Sequence, residues 1–214
     1  MTACLRNSMS EGYDAPPNSE PRSANGSRVF TGGLALAFDT FCPMRSDPVF
    51  RTIETSDLDR VLAINAASVP EVGDINAADL DFLVSEAAIA LVAECDHTLV
   101  GFCIVLAPGS TYTSVNYRWF MERHPDSLYL DRVAFDASVQ GRGWGRAMYA
   151  EVARRMRDEF TDATGLTLEV NIDPPNDPSL RFHRKQGFVE VGRQMSHGIE
   201  VSLMHRPVLP PAID

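Results

Sequence analysis

The 214 residues predict one mixed α/β domain, and three observations carry that prediction. Apolar runs of strand length alternate with amphipathic helical stretches in the order βααββ–βα–βα–ββ, with no internal repeat. At 44% hydrophobic and 22% charged residues, the chain has enough apolar surface to bury a core. No apolar run approaches the ~18–20 residues that a membrane-spanning helix needs.

The elements follow in chain order. Ser8–Ser27 is rich in Ser, Pro, Gly and Asn and has little to bury, so it is expected to be disordered. Val29–Cys42 is more apolar but is broken at Gly32-Gly33. Residues 1–47 are therefore expected as a disordered or weakly docked extension, and residues 48–210 as the folded domain. Initiation at Met44 is the other reading of this end. Val49–Ile53 is a short strand. Ser56-x-x-Asp59 resembles a capping box opening a helix over Asp57–Ser68, and Asn76-x-x-Asp79 opens a second over Ala77–Ser85. Ala88–Glu94 and Leu99–Ala107 read as a hairpin turning at Cys95–Thr98. An aromatic loop follows, with Tyr112, Tyr117, Trp119 and Phe120, and then the strand Leu128–Phe135. The helix Arg142–Phe160 carries Trp144, Met148, Val152, Met156 and Phe160 on one stripe. Leu166–Val170 is a strand. Asp177-Pro178 opens a helix that stops at Gly187, and Phe188–Met195 with Ile199–His205 forms a last hairpin.

Charge and cysteines narrow the function classes. A net charge of −10 argues against a binder of nucleic-acid backbones. Ten carboxylates lie between Ile53 and His97 against Arg60 alone, a bias that favours cationic ligands or merely a solvated acidic face. Four cysteines without a C-x-x-C pair form neither a disulfide scaffold nor a zinc site, so no metal is expected. The absence of a signal-peptide pattern and of a membrane span makes a cytoplasmic protein the expectation.

The chemistry concentrates in Leu128–Phe135 and the segment that follows, Gln140-Gly-Arg-Gly-Trp-Gly-Arg146. A strand running through a glycine turn into a helix aims several N–H groups, and the positive end of the helix, at one point. That is a cradle for a pyrophosphate. The Gly-Lys-Ser/Thr triplet of nucleotide phosphate loops does not occur, and G-x-G-x-x-G counted from Gly141 fails at Arg146. Gln140-x-x-Gly143-x-Gly145 instead resembles the coenzyme A motif Q/R-x-x-G-x-G/A of the GNAT acyltransferase superfamily. A second block, Leu166–Val170, Asn171, Asn176-x-x-Ser179 and Phe182-His-Arg-Lys-Gln-Gly-Phe188, is similar to that family's later strand, N-x-x-S/A helix start and F-Y-x-x-x-G-F. The resemblance spans about Phe50 to Pro207.

This resemblance implies a mixed, mostly antiparallel central sheet of about seven strands flanked by about four helices. It also implies acetyl-CoA as co-substrate and transfer of the acetyl group, by direct attack in a ternary complex, to a primary amine of a small molecule, amino acid or peptide. A non-catalytic acyl-CoA-binding sensor or interaction module is the alternative. Backbone groups of Val133 and Phe135 would pair with pantetheine. Residues Gln140, Gly141, Arg142, Gly143, Trp144, Gly145 and Arg146 would surround the pyrophosphate. Asn171, Asn176, Ser179 and Phe182 match positions facing pantetheine or the thioester, although Asn176 also reads as a turn residue before Pro178. The family's usual Tyr after the Phe is replaced here by His183, read either as the acid that protonates the leaving thiolate or as a packing residue. An amine must lose a proton before attack, and the candidate bases are Glu169 and Asp131, either of which also reads as a substrate anchor or a partner for Arg132; strand alternation places Asp131, Val133 and Phe135 on one side, and Glu169 and Asn171 on one side. The oxyanion would be held by a backbone N–H near Val133. The aromatics 117–120 are either an acceptor wall or core cover. Relatives that pair through their late strands make a homodimer an expectation.

Overall fold

A computed structural model describes residues 47–208. The N-terminal extension up to residue 46, the Met44 alternative and residues 209–210 of the expected domain lie outside the described residues. The elements are β1 (Val49–Thr52), α1 (Leu58–Ala67), α2 (Ala77–Glu86), β2 (Ala87–Cys95), β3 (Thr98–Leu106), α3 (Val115–Arg123), β4 (Ser127–Phe135), α4 (Trp144–Glu159), β5 (Gly165–Asp173), α5 (Asp177–Lys185), β6 (Val189–Ser196) and β7 (Ile199–Pro207). The seven strands form one sheet in the order β1-β2-β3-β4-β5-β7-β6, antiparallel except where β4 meets β5.

Among the described residues there are five α-helices rather than about four, because the expected aromatic loop contains α3. Ser114 caps it by accepting from the N–H groups of Asn116 and Tyr117, and Tyr117 and Phe120, three residues apart, are both buried. The start of α1 also differs. The reciprocal capping box joins Glu54 and Asp57 around a short 3₁₀ turn, and Ser56 and Asp59 take no part. Asp57 is drawn there because Arg51 grips it through both terminal nitrogens, at 2.6 and 2.9 Å. The cap of α5 is Asn176, one residue ahead of the expected Asp177, and its side chain accepts from Ser179 N–H.

Two cores lie on opposite faces of the sheet. On one, α4 buries Trp144, Met148, Tyr149, Val152 and Met156 against β2–β5, each contributing roughly 1.5–3 kcal/mol of burial. The other face is covered by α1, α2 and α3 through Val61, Ile64, Leu80, Leu83, Tyr117 and Phe120.

The feature that positions the site is a parting of β4 from β5. They pair only at Ser127↔Gly165, Leu128↔Leu166 and Tyr129↔Thr167. Beyond that point β4 stays on β3 as far as Phe135, and β5 stays on β7 as far as Asp173, so a wedge opens between them. The parting coincides with a bulge. Val105 pairs with Leu130 and Ile104 with Arg132, leaving Asp131 as the extra residue of β4. This corrects the expected alternation. Leu128, Leu130, Val133 and Phe135 meet the α4 core, whereas Tyr129 and Ala134 meet the other one. Asp131 and Arg132 turn to that second side with Tyr129, away from Val133 and Phe135.

Candidate active site

The wedge between β4 and β5 holds a cavity of about 100 Å³. Leu130, Asp131, Arg132 and Val133 line it from β4, and Leu168, Glu169 and Asn171 from β5. The α1–α2 loop closes one side with Glu71, Val72 and Gly73; α5 closes the other with Ser179 and His183. Of the sequence-predicted residues, the fold therefore brings Asp131, Glu169, Val133, Asn171, Ser179 and His183 to one cavity. Phe135, Asn176, Phe182 and the turn 140–146 stand outside its lining. Of the ten carboxylates between Ile53 and His97, Glu71 alone reaches it.

Backbone direction in the wedge follows from one hydrogen bond. Asp136 N–H donates to the Val100 carbonyl of β3 at 2.7 Å. Backbone groups alternate along a strand, so those of Ala134 and Arg132 also turn to β3, while those of Val133 and Phe135 turn into the gap. No described strand pairs with them there.

Glu169 is the central ionisable group. It accepts from the Tyr129 hydroxyl at 2.7 Å, and the Asn116 side chain, whose Nδ2 donates to Ser196 Oγ, lies near enough to favour its charged form. Burial, reinforced by the negative charge of Asp131, pushes its carboxyl up to about 7. Asp131 is itself held by Arg132, whose Nε lies 2.7 Å from its carboxylate. The hydroxyls of Tyr112 and Tyr129 complete the cluster, and both are pushed above the ordinary phenol range by burial and by these carboxylates.

His183 is buried with both ring nitrogens engaged. Nδ1 lies 2.8 Å from the Ser179 carbonyl, which can only accept, so Nδ1 carries the proton. Nε2 is then the acceptor for the Tyr149 hydroxyl at 2.6 Å. Burial drives the imidazole down to about 4. At neutral pH it is uncharged, with its basic nitrogen tied to Tyr149 and away from the cavity. Asn176 and Asn171 likewise have local partners: Asn176 accepts from Ser179 N–H at 3.2 Å, and Asn171 Nδ2 donates to the Pro70 carbonyl at 3.2 Å.

At the wide end of the wedge, β4 runs through a short 3₁₀ turn to the glycines. Gly141 and Gly143 have φ of +76° and +82°, which side-chain-bearing residues rarely adopt, and a Cβ on either would project into open space. Gly143 is the N-cap of the 16-residue α4, with exposed Arg142 and Arg146 beside it. Gly145 serves another purpose, since its Cα faces the Phe182 ring of α5 and a Cβ there would stand 3.4 Å away. Trp144 points inward to the core and Gln140 ends the 3₁₀ turn, exposed. These residues fit a pyrophosphate in the cradle and an extended arm reaching down the wedge. Among the described residues, no group of three or more His, Cys, Asp or Glu could hold a metal ion, and no helix is long and apolar enough to cross a membrane.

The sequence does not mark Glu71, Gly73, Tyr112, Asn116 or Tyr129 as site residues, whereas Arg132 takes the place, open to it in the sequence, of a partner for Asp131. Tyr129, two residues from Asp131, was the most accessible to a search for polar groups at the end of the strand. Nothing local marks Asn116, which reaches Glu169 only because α3 packs across the sheet.

No curated protein matches the chain. Among solved structures, Ard1 from Thermoplasma volcanium superposes with a TM-score of 0.62 and 22% identity, covering 77% of this chain and all of its own. The ribosomal-protein-S18-alanine N-acetyltransferase from Escherichia coli gives 0.60 and 16%, covering 78% of this chain and 97% of its own. YncA from Salmonella typhimurium, described as a putative acetyltransferase with its cofactor acetyl-CoA, gives 0.57 and 14% over 79% and 98%. The sequence pattern of the acetyltransferase (GNAT) family matches residues 58–188, from α1 through the glycine turn to Phe188. With that match over most of the described residues, the parted strands and the glycine cradle, the chain belongs to the GNAT family of acetyl-CoA-dependent N-acetyltransferases.

Proposed function

We propose that the protein transfers the acetyl group of acetyl-CoA to a primary amine of a small molecule, amino acid or peptide by direct attack, with Glu169 as the general base. The observation that carries this reading is the Glu169 carboxyl, which faces the cavity at the parting of β4 and β5 beside Asp131. A base whose proton affinity lies near neutrality both accepts a proton from an incoming ammonium and releases it afterwards. Tyr129 fixes the carboxylate by a hydrogen bond, so it need not reorient when it takes the proton.

Gly141, Gly143 and the N-terminus of α4 hold the pyrophosphate, and the gap-facing backbone groups of Val133 and Phe135 pair with the pantetheine arm. Acetyl-CoA supplies a thioester electrophile and a thiolate leaving group. The Val133 N–H donates to the carbonyl oxygen as negative charge develops on it. Glu169 takes the proton that the amine loses on forming the new N–C bond. As the C–S bond breaks, the thiolate leaves and takes its proton from water; Ser179, whose hydroxyl lies 3.2 Å from His183 Nδ1, lines the α5 wall of the cavity. His183, neutral and tied to Tyr149, orients Ser179 and does not itself supply the proton. The structural relatives include the ribosomal-protein-S18-alanine N-acetyltransferase from Escherichia coli, which supports an amine as acceptor.

The test is thiol release from acetyl-CoA by the full chain. Spermidine, phenylethylamine, lysine and an alanine-initiated peptide serve as probe amines, and pH is varied. Turnover with at least one probe, an acid limb near pH 7 and a loss of about 10²-fold or more in Glu169→Gln are expected. Full activity in Glu169→Gln would remove Glu169 from this role. Tight acetyl-CoA binding with no turnover on any probe would point instead to a non-catalytic binding module.

A further inference from the structure

We propose that Arg132 is a positioning residue for the acceptor half of the site, holding Asp131 in place beside Glu169 while pinning the α1–α2 loop over the cavity. The inference rests on Glu169 as the base and concerns what governs that base.

The geometry of Arg132 begins with the bulge. An extra residue in β4 puts Asp131 and Arg132 on the same side of the sheet, where regular alternation would have sent them to opposite sides. The Arg132 side chain is 8% exposed and that of Asp131 4%, so the pair is nearly as dry as the core. Nε of Arg132 donates to Asp131 at 2.7 Å. Its Nη1 donates to Asn65 Oδ1 of α1 at 2.9 Å and to the Gly73 carbonyl at 3.3 Å. Asn65 closes the circuit by donating its own Nδ2 to that carbonyl at 3.1 Å. From the other strand, Asn171 donates to the Pro70 carbonyl of the same loop. The loop is thus tied to both strands that part around the cavity, and Glu71 and Val72, which line it, lie between the two ties.

The electrostatic consequence is direct. The charged or titratable groups facing Glu169 are Asp131 and Tyr129 of β4 and Tyr112 ahead of α3; Glu71, Arg132 and neutral His183 line the same cavity, and the β7 residue paired with Glu169 is Leu203. Arg132 is the cation in that set. A buried carboxylate stripped of its cation cannot stay ionised beside a second carboxylate without holding a proton between them. Removing Arg132 therefore makes the Asp131–Glu169 pair keep its proton to higher pH, and the base becomes available later. A merely structural arginine would change the stability of the fold and leave that titration where it was.

The test uses the full chain with ¹³C-labelled glutamate side chains. The Glu169 resonance is assigned by its loss in Glu169→Gln, and its titration midpoint is read by NMR. In Arg132→Gln the midpoint should rise by about one unit or more, in Asp131→Asn it should fall, and in the double variant it should return toward the wild-type value. Amide exchange across residues 70–76 should quicken in Arg132→Gln, with partial protection restored by Arg132→Lys, whose single ammonium cannot reach both Asp131 and Gly73. An unmoved midpoint in a cooperatively folded Arg132→Gln overturns the proposal. If that variant does not fold, the double variant, which removes the buried charge together with its partner, takes its place against Asp131→Asn: an equal midpoint in those two overturns the proposal, and a higher midpoint in Asp131→Asn, where Arg132 remains, does the same. Undiminished acetyl transfer in Glu169→Gln would defeat the base assignment separately, without changing what these midpoints say about Arg132.

Discussion

Glu169 and His183 line one cavity, and burial moves them in opposite senses because it disfavours whichever form is charged. His183 falls from 6.5 to about 4, so an unfolding chain takes up a proton there before the native one does. The stability it contributes is complete above about pH 6.5 and is lost as pH drops toward 4, an amount of roughly 3 kcal/mol. Glu169 rises from 4.5 to about 7, so its contribution is complete below about 4.5 and is lost as pH climbs toward 7. Thermal melts of Glu169→Gln should therefore gain on wild type between pH 5 and 8 even as activity collapses; a variant that loses ground at pH 8 would contradict the burial of that charge. The double variant His183→Phe with Tyr149→Phe should lose less stability than wild type on acidification from 6.5 to 4, and cost less than its two singles summed, because each single leaves a buried polar atom without its partner. A rate profile with a limb attributable to His183 near 6.5 would contradict the reading of its tautomer. At this scale Glu169 and Asp131 were legible from their strands beside the glycine turn and His183 from its motif position, and all three line the cavity. The sequence could not reveal the setting of His183, since burial keeps the ring neutral and the partner that occupies its Nε2 is Tyr149, 34 residues away on another helix.

Among the elements, α4 and β4 carry the most function. Gly143 and Gly145 differ by two positions and serve unlike ends. Gly143 has φ of +82° at the helix cap, where alanine costs roughly 1–2 kcal/mol and tilts the N–H groups of the cradle. Gly145 lies inside the first turn, and its added methyl would meet the Phe182 ring at an ordinary 3.4 Å. Gly145→Ala is thus expected to melt at or above the wild-type temperature and bind acetyl-CoA normally, while Gly143→Ala melts lower and loses at least about tenfold in affinity, checked by calorimetric titration. Equal behaviour of the two would detach the cradle from the backbone conformation. Glycine spacing and helical stripe were readable because both are local. Two other features were not. Helix α3 is only nine residues long, and its Ser114 cap and Tyr117/Phe120 spacing were masked by the surrounding aromatics. The bulge at Asp131 leaves no mark in the sequence, since apolar and polar positions in β4 fit regular alternation equally well until the partner strand is known.

For the molecule as a whole, the order of elements sufficed to predict a mixed α/β sheet, the resemblance implied helices flanking it, and the two sequence blocks identified the family that the match over residues 58–188 supports. The acidic bias was less informative. Carboxylates such as Asp57 and Glu94 are committed to Arg51, and those that face the cavity come chiefly from β4 and β5. The cavity is lined by residues gathered from β4, β5, α5 and the α1–α2 loop, and no short motif encodes that gathering. What the architecture does specify is a cradle and a wedge of fixed polarity, shaped for a pyrophosphate followed by an extended arm. The most direct measurement is a thermal-shift titration of the full chain with acetyl-CoA, free CoA, ATP and NADH in parallel. A ligand at 100 times its dissociation constant adds about 2.7 kcal/mol, a rise of roughly 5–10 °C for a domain of this size. The account predicts that rise for acetyl-CoA and CoA and none of that size for ATP or NADH. No rise with either CoA compound, or an equal rise with all four ligands, would contradict it.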